Sequence, residues 1–382
     1  MPDPVLYLKS IVATAIVSTF VLGVAAMMWH RTKSGWVAWK WTPWKSCDTA
    51  SINTGWLNAI CVLGLAIGLI AGYSFFPLGS VWPPTNGLNR FLTLVVPVLL
   101  VIEMIAGFEV VPSWFSWFAR ALFSAIVPRI LLHDSVYLGD SDYAWPLWQI
   151  IATYAMSGVL LLVFWGLMSW LSERSPGVSI SFALALAIQC AGLAIMMAGY
   201  VKGGAASFPL VTSIVVIIVL ARAVSVRGAG SVLGVGSVLG VGVVGLFSLL
   251  FIGRFFGRLS TASSIVMLLA PLLCWATELP FLRERKAWQL ATLRLLFVAI
   301  PLAVVLILAK RDFDRDMAPL LGTVYVSDRF ALPRDCSLAA SNQMRITETA
   351  GCDLPERFAA LFPLTVAGPV VFRQIYRWRQ DR

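Results

Sequence analysis

Charge is scarce in this chain. Only 13% of its 382 residues are Asp, Glu, Lys or Arg, about half the ~25% of an ordinary soluble domain, and too few to cover a water-facing surface. Histidine is scarcer still, with only His30 and His133. No HExxH, GxSxG or Walker A pattern occurs, so the common zinc-hydrolase, serine-hydrolase and nucleotide-binding signatures are excluded. There is no CxxC pair and no Cys/His cluster at zinc spacing. Gly240, Gly242 and Gly245 do spell GxGxxG. A dinucleotide site needs a strand before that motif and a helix opening at it, and an apolar run supplies neither. No cofactor is expected.

What the chain has in abundance is oil. Hydrophobic residues make up 59% and the mean hydropathy is +0.83. Ten runs approach or reach the ~20 residues that a bilayer-spanning helix needs: 11–28, 56–76, 91–108, 113–132, 146–171, 178–197, 208–224, 231–252, 261–277 and 288–309. Lipid offers no water to backbone N–H and C=O groups, and runs this continuous do not alternate as barrel strands do. The expected fold is therefore an all-α polytopic transmembrane helical bundle of about ten spans, residues 1–309, with a short polar C-terminal tail, residues 310–382. Within that tail 358–372 is apolar but short, and holds Pro363 and Pro369. It reads as a surface-lying or re-entrant piece. For the first run a cleaved signal peptide is the competing reading, with Val24-Ala25-Ala26 as the cleavage site. The weakly charged start and the polar residues in the run argue against it.

The net charge of +10 lies mostly between apolar runs, where topology and anionic headgroups explain it better than nucleic acid does. With the N-terminus outside, inside loops hold Arg31, Lys33, Lys40, Lys45, Arg174, Arg222, Arg227, Arg283, Arg285 and Lys286. Outside loops hold Lys9, Arg90, Lys202, Arg254, Arg258, Lys310 and Arg311. The excess favours that orientation, in a bacterial plasma (inner) membrane. The tail then lies in an oxidising space, where Cys336 and Cys352 are a candidate disulfide; two reduced, unrelated cysteines are the equal alternative. Trp36, Trp39, Trp41 and Trp44, interleaved with lysines, read as a segment on the membrane surface.

Two charges break the apolar pattern. Glu103 lies inside 91–108 and Arg120 inside 113–132, on either side of a corner at Val111-Pro112. Each is about 8.5 residues from that corner, so an antiparallel hairpin sets both at the same depth, about 13 Å from the turn at ~1.5 Å per residue. That arrangement suggests a buried ion pair. A structural pairing that sets helix registry competes with a transport or proton-handling role. Arg129, nine residues from Arg120, falls on the opposite helix face.

Other candidates are weaker. Asp134, Asp140 and Asp142 form an acidic loop beside His133, and Asp140-Ser141-Asp142 is a DxD that can hold a divalent metal; a solvated loop is the simpler reading. Gly230, Gly234, Gly236 and Gly240 belong to a tandem hexapeptide with two GxxxG pairs. Successive copies point to different sides, which suits a helix crowded by several neighbours. Gln189, in mid-span, reads as glue between helices. The leading expectation is a non-enzymatic, transporter-like or channel-like bundle whose partners are the lipid bilayer and a small-molecule or ion substrate. The alternatives are a membrane-embedded enzyme acting on lipid or lipid-linked sugar through loop 133–144, and a non-catalytic assembly component.

Overall fold

The structure is a computed structural model, and it describes residues 4–33, 49–76, 84, 86–107, 111–135, 137–138, 145–175, 178–225, 235–278 and 287–316. All of them belong to the first of the chain's two units, Met1–Gly322. The regular elements among the described residues are all helical. Ten helices follow in order: α1 (Pro4–Lys33), α2 (Thr49–Tyr73), α3 (Gly87–Ala106), α4 (Ser113–Leu132), α5 (Leu147–Arg174), α6 (Ser179–Met197), α7 (Ser207–Ser225), α8 (Val235–Phe255), α9 (Thr261–Glu278) and α10 (Ala287–Asp316). A single turn, Val201–Ala205, leads into α7. Nine of the described apolar helical stretches are long enough to cross a membrane, and α2 holds a shorter one, Asn58–Tyr73. The chain is an all-α polytopic helical bundle. α10 carries on to Asp316, so residues 310–316 of the expected polar tail are helical. Cys336, Cys352 and the segment 358–372 lie outside the described residues.

Successive helices alternate in direction. At one end, Gly87 at the start of α3 lies against Leu131 of α4 and Phe256 beyond α8. There too the Arg258 N–H donates to the Ala198 carbonyl after α6. At the other end α9 finishes beside the start of α10 and of α6, through Arg294, Glu278 and Ser179.

The middle of the bundle is α8. Of its most apolar window 89% is buried, against 67% for α6 and 22% for α5 and α10. Missing side chains make that crowding possible. A Cβ added at Gly240 would lie 2.3 Å from Glu103 Oε1 of α3; at Gly242, 2.5 Å from Leu184 of α6; at Gly245, 2.6 Å from Leu210 of α7. At ~100° per residue Gly240 faces away from the other two, so α8 is gripped from opposite sides. A side chain at Gly236 would meet no described atom, and Gly230 and Gly234 lie outside the described residues. The close packing therefore falls at Gly240 and at glycines beyond the repeat.

A second glycine row joins α1 to α2. Gly64, Gly68 and Gly72 recur every four residues and so share one helix face. Ser10, Thr14 and Ser18 recur at the same spacing on α1. The Ser10 hydroxyl donates to the Gly72 carbonyl at 2.8 Å. A Cβ at Gly68 would stand 1.9 Å from Ser18 Oγ, and one at Gly72 2.1 Å from Thr14 Oγ1. Lipid tails are as apolar as leucine, so such close approach, not burial of oil, holds two helices together here.

Prolines disturb two helices. Pro97 has no N–H to give the residue-93 carbonyl, and the turn before it, Phe91–Val95, is wound as a π-helix. α9 tightens to a 3-10 helix over Ala270–Glu278, opening with Pro271. Pro128 sits inside α4 without ending it.

Candidate functional site

The carboxylate of Glu103 hangs from the last turn of α3, and the guanidinium of Arg120 from the second turn of α4. Arg120 Nε donates to Oε1 at 3.2 Å and Nη2 to Oε2 at 3.1 Å. This two-pronged match of a planar fork to a carboxylate sets direction as well as distance. The Glu103 side chain is 1% exposed and that of Arg120 15%. Three other helices close around them. Gly240 of α8 leaves the space that the carboxylate occupies. Trp165 of α5, fully buried, presents its ring 5.4 Å from Arg120 Cζ, and Trp117 of α4 lies 5.2 Å away on its own ring. Each ring face attracts the cation, by ~0.5–2 kcal/mol in such settings. Asn58 of α2 donates to the Glu103 carbonyl at 3.4 Å, and reaches it over Gly107, where a Cβ would collide with the amide. Five helices thus meet at one charged contact.

Two more buried arginines carry networks. Arg90, 4% exposed at the start of α3, donates through Nε to the Pro84 carbonyl at 3.1 Å and through Nη2 to Asp134 Oδ2 at 2.8 Å. Its Nη1 donates to the His133 carbonyl. His133 Nδ1 lies 2.9 Å from the same Asp134 oxygen. Asp134 holds a positive φ of 50°, a conformation in which Asp is among the better-tolerated non-glycine residues. Arg90 was expected in a loop; instead it ties the open end of the α3–α4 hairpin.

Arg294, seven residues after the start of α10, is satisfied at every nitrogen. Nε donates to Thr277 Oγ1 at 2.8 Å, Nη1 to Ser179 Oγ at 3.0 Å, and Nη2 to Glu278 Oε1 at 2.8 Å and to Ser175 Oγ. It pins α9, α10 and the α5–α6 connection at one end of the bundle.

Between α2 and α3 lies a cleft of about 810 Å³. Its walls are apolar along Val62, Ala66, Leu69, Val96, Leu100 and Met104, and Ser74, Asn89 and Thr93 stand toward one end. Met104 is the immediate neighbour of Glu103. Gln189 lines a separate apolar groove of about 610 Å³ beside α7 and α10.

Of the residues singled out in the sequence, Glu103 and Arg120 are in contact, and Gly240 joins them. Asp134 is held by Arg90 and His133, while Asp140 and Asp142 lie outside the described residues. No group of three or more His, Cys, Asp or Glu able to hold a metal ion occurs among the described residues. Arg129 is exposed. Cys61, Cys190 and Cys274 are buried free thiols. Sequence reasoning missed Arg294, Trp165 and the Gly64/Gly68/Gly72 row. Arg294 carried a readable signal, a lone cation inside an apolar run; the glycine row did too, as GxxxGxxxG. Trp165 carried none.

Compared with protein-family models, curated proteins and solved structures, the chain matches no family, no protein and no structure.

Proposed function

We propose that this integral membrane protein is a non-enzymatic, transporter-like bundle in which the α3–α4 hairpin is the working element and the Glu103–Arg120 contact is its lock. One observation carries the reading: a carboxylate held almost entirely away from solvent, bridging two helices and pressed against the most buried of the described spans. A charge at such depth is expensive, and membrane proteins keep one where a substrate, an ion or a conformational change uses it. The hairpin is tied at its open end by Arg90 and near its corner by Glu103, so it is built to move as one piece. The cleft separates part of its α3 flank from α2.

Orientation belongs to the same proposal. Arg120 and Arg294 both enter from the end that loop charges assign to the inside of a bacterial plasma membrane. An N-terminus outside agrees with both.

The test is transport in proteoliposomes, read as proton entry with a trapped pH dye and as transbilayer movement of a fluorescent phospholipid. The wild type is expected to show at least one activity, and Glu103→Gln to lose it while keeping helical circular dichroism and a monodisperse elution profile. A wild type inactive in both assays, or a Glu103→Gln variant as active as wild type, contradicts the proposal.

A further inference from the structure

We infer that the cleft between α2 and α3 is a binding site for one acyl chain of a bilayer phospholipid, entered sideways from the membrane. The inference rests on the transporter-like reading and names the substrate class for it: an amphiphile with a long hydrocarbon tail.

The site is built from two spans and opens between them. Leu63 and Ile70 of α2 and Val101 of α3, which line it, are among the exposed large hydrophobics of the bundle, so its mouth faces the hydrocarbon. Its volume, about 810 Å³, lies in the upper part of the ~300–1,000 Å³ range of ligand pockets. From Asn89 to Met104 it follows α3 for about 22 Å at ~1.5 Å per residue, most of the ~30 Å thickness of a hydrocarbon core. Water does not fill such a space, since the wall offers few polar partners along that length. An empty cleft forfeits dispersion contacts on every wall. A flexible hydrocarbon chain restores them and is the most abundant molecule at the mouth.

The cleft is also polar at one end. Ser74, Asn89 and Thr93 lie where α2 finishes and α3 begins, the end of these two helices nearest the headgroups. The opposite end is Met104, whose unbranched thioether adapts to an irregular partner. This one-ended polarity matches a lipid with its head beside Ser74, Asn89 and Thr93 and its tail reaching down toward the Glu103–Arg120 contact. Leu92 and Thr93 of the π turn, at the polar end, and Pro97 just beyond it lie in the wall. The π turn and the proline break the regular helix ladder where a passing tail requires it to give. A tail already in hydrocarbon gains no hydrophobic energy on entry, so selectivity comes from fit along the wall and from the polar end.

The experiment uses the full chain in vesicles of phosphatidylethanolamine and phosphatidylglycerol, doped with a phosphatidylcholine that carries a diazirine on its acyl chain. After illumination the adducts are mapped by peptide mass spectrometry. Adducts are expected to concentrate on the peptides that hold Ala66, Val96, Leu100 and Met104. Ala66→Trp is expected to lower their yield at least about tenfold, equivalent to ~1.4 kcal/mol of binding, whereas Val159→Trp on the exposed face of α5 leaves it unchanged. Where Ala66→Trp fails to fold, Leu100→Phe serves in its place. Adducts spread over α1, α5 and α10 in proportion to their exposure, or a yield indifferent to the filled cleft, overturn the inference. So does an intermolecular disulfide formed efficiently by Leu63→Cys, which would put a second copy of the chain there. Glu103→Gln separates this result from the transport reading: it is expected to abolish flux and leave the adduct pattern intact. Flux lost with adducts evenly spread sinks the acyl-chain site alone, and focused adducts with flux unaffected sink the lock alone.

Discussion

Glu103 is the residue whose surroundings explain the most. Ionised side chains are costly in hydrocarbon, by a few kcal/mol even on lenient insertion scales. The Arg120 guanidinium compensates it, itself faced by the rings of Trp117 and Trp165, and Gly240 leaves the carboxylate its space. Removing one partner of a buried pair leaves the other uncompensated, at ~3–5 kcal/mol. Arg120→Gln is therefore expected to lower unfolding free energy by that order, measured by denaturant titration in mixed micelles. Gly240→Ala tests the space: its Cβ would lie 2.3 Å from Oε1, and overpacking of this kind costs ~1–3 kcal/mol. A variant as stable as wild type would mean that the carboxylate has room to turn elsewhere. Both charges were legible in the sequence, because a lone acid and a lone base in oily runs stand out and the hairpin arithmetic links them. Arg294 has the same mark, but its acid, Glu278, closes the preceding run, and the two do not fall at equal distances from the middle of the connector between them, so the hairpin count does not pair them. Trp165 was illegible: one tryptophan among sixteen says nothing until α5 is laid against α4.

At the scale of helices, two devices hold the bundle together without a hydrophobic driving force. One is the polar-to-glycine row of α1 on α2. Gly68→Leu is expected to force these helices apart and lower thermal stability, whereas Ile16→Leu, on the exposed face of α1, is expected to be neutral. Equal melting temperatures for all three proteins would contradict the zipper. The other is the α3–α4 hairpin, tied by Arg90 and by Glu103 some 20 Å apart along α3 at ~1.5 Å per residue. Spans and their order could be read from hydropathy, because lipid leaves backbone groups no alternative to a helix. Which helix sits in the middle was half visible, in the density of glycine around 230–245. The neighbours of each glycine were not, since periodicity gives a direction on the helix and never the identity of what lies there.

For the molecule as a whole, the alternation of the ten described helices sets their ends on opposite sides of the bilayer. In a cysteine-free background, Leu138→Cys, between α4 and α5, and Arg174→Cys, at the last residue of α5, are expected to react with an impermeant maleimide from opposite faces of sealed vesicles. Labelling from the same face would refute the alternation. The claim on which the rest depends is that Glu103 and Arg120 act on each other across α3 and α4. A double-mutant cycle in bicelles measures it: Glu103→Gln, Arg120→Gln and the two combined, each compared in unfolding free energy. The account predicts a double variant more stable than the sum of the single losses allows, by at least ~1 kcal/mol, in the range found for residues in contact. Additive losses would mean that the two charges stand beside one another without holding the hairpin shut.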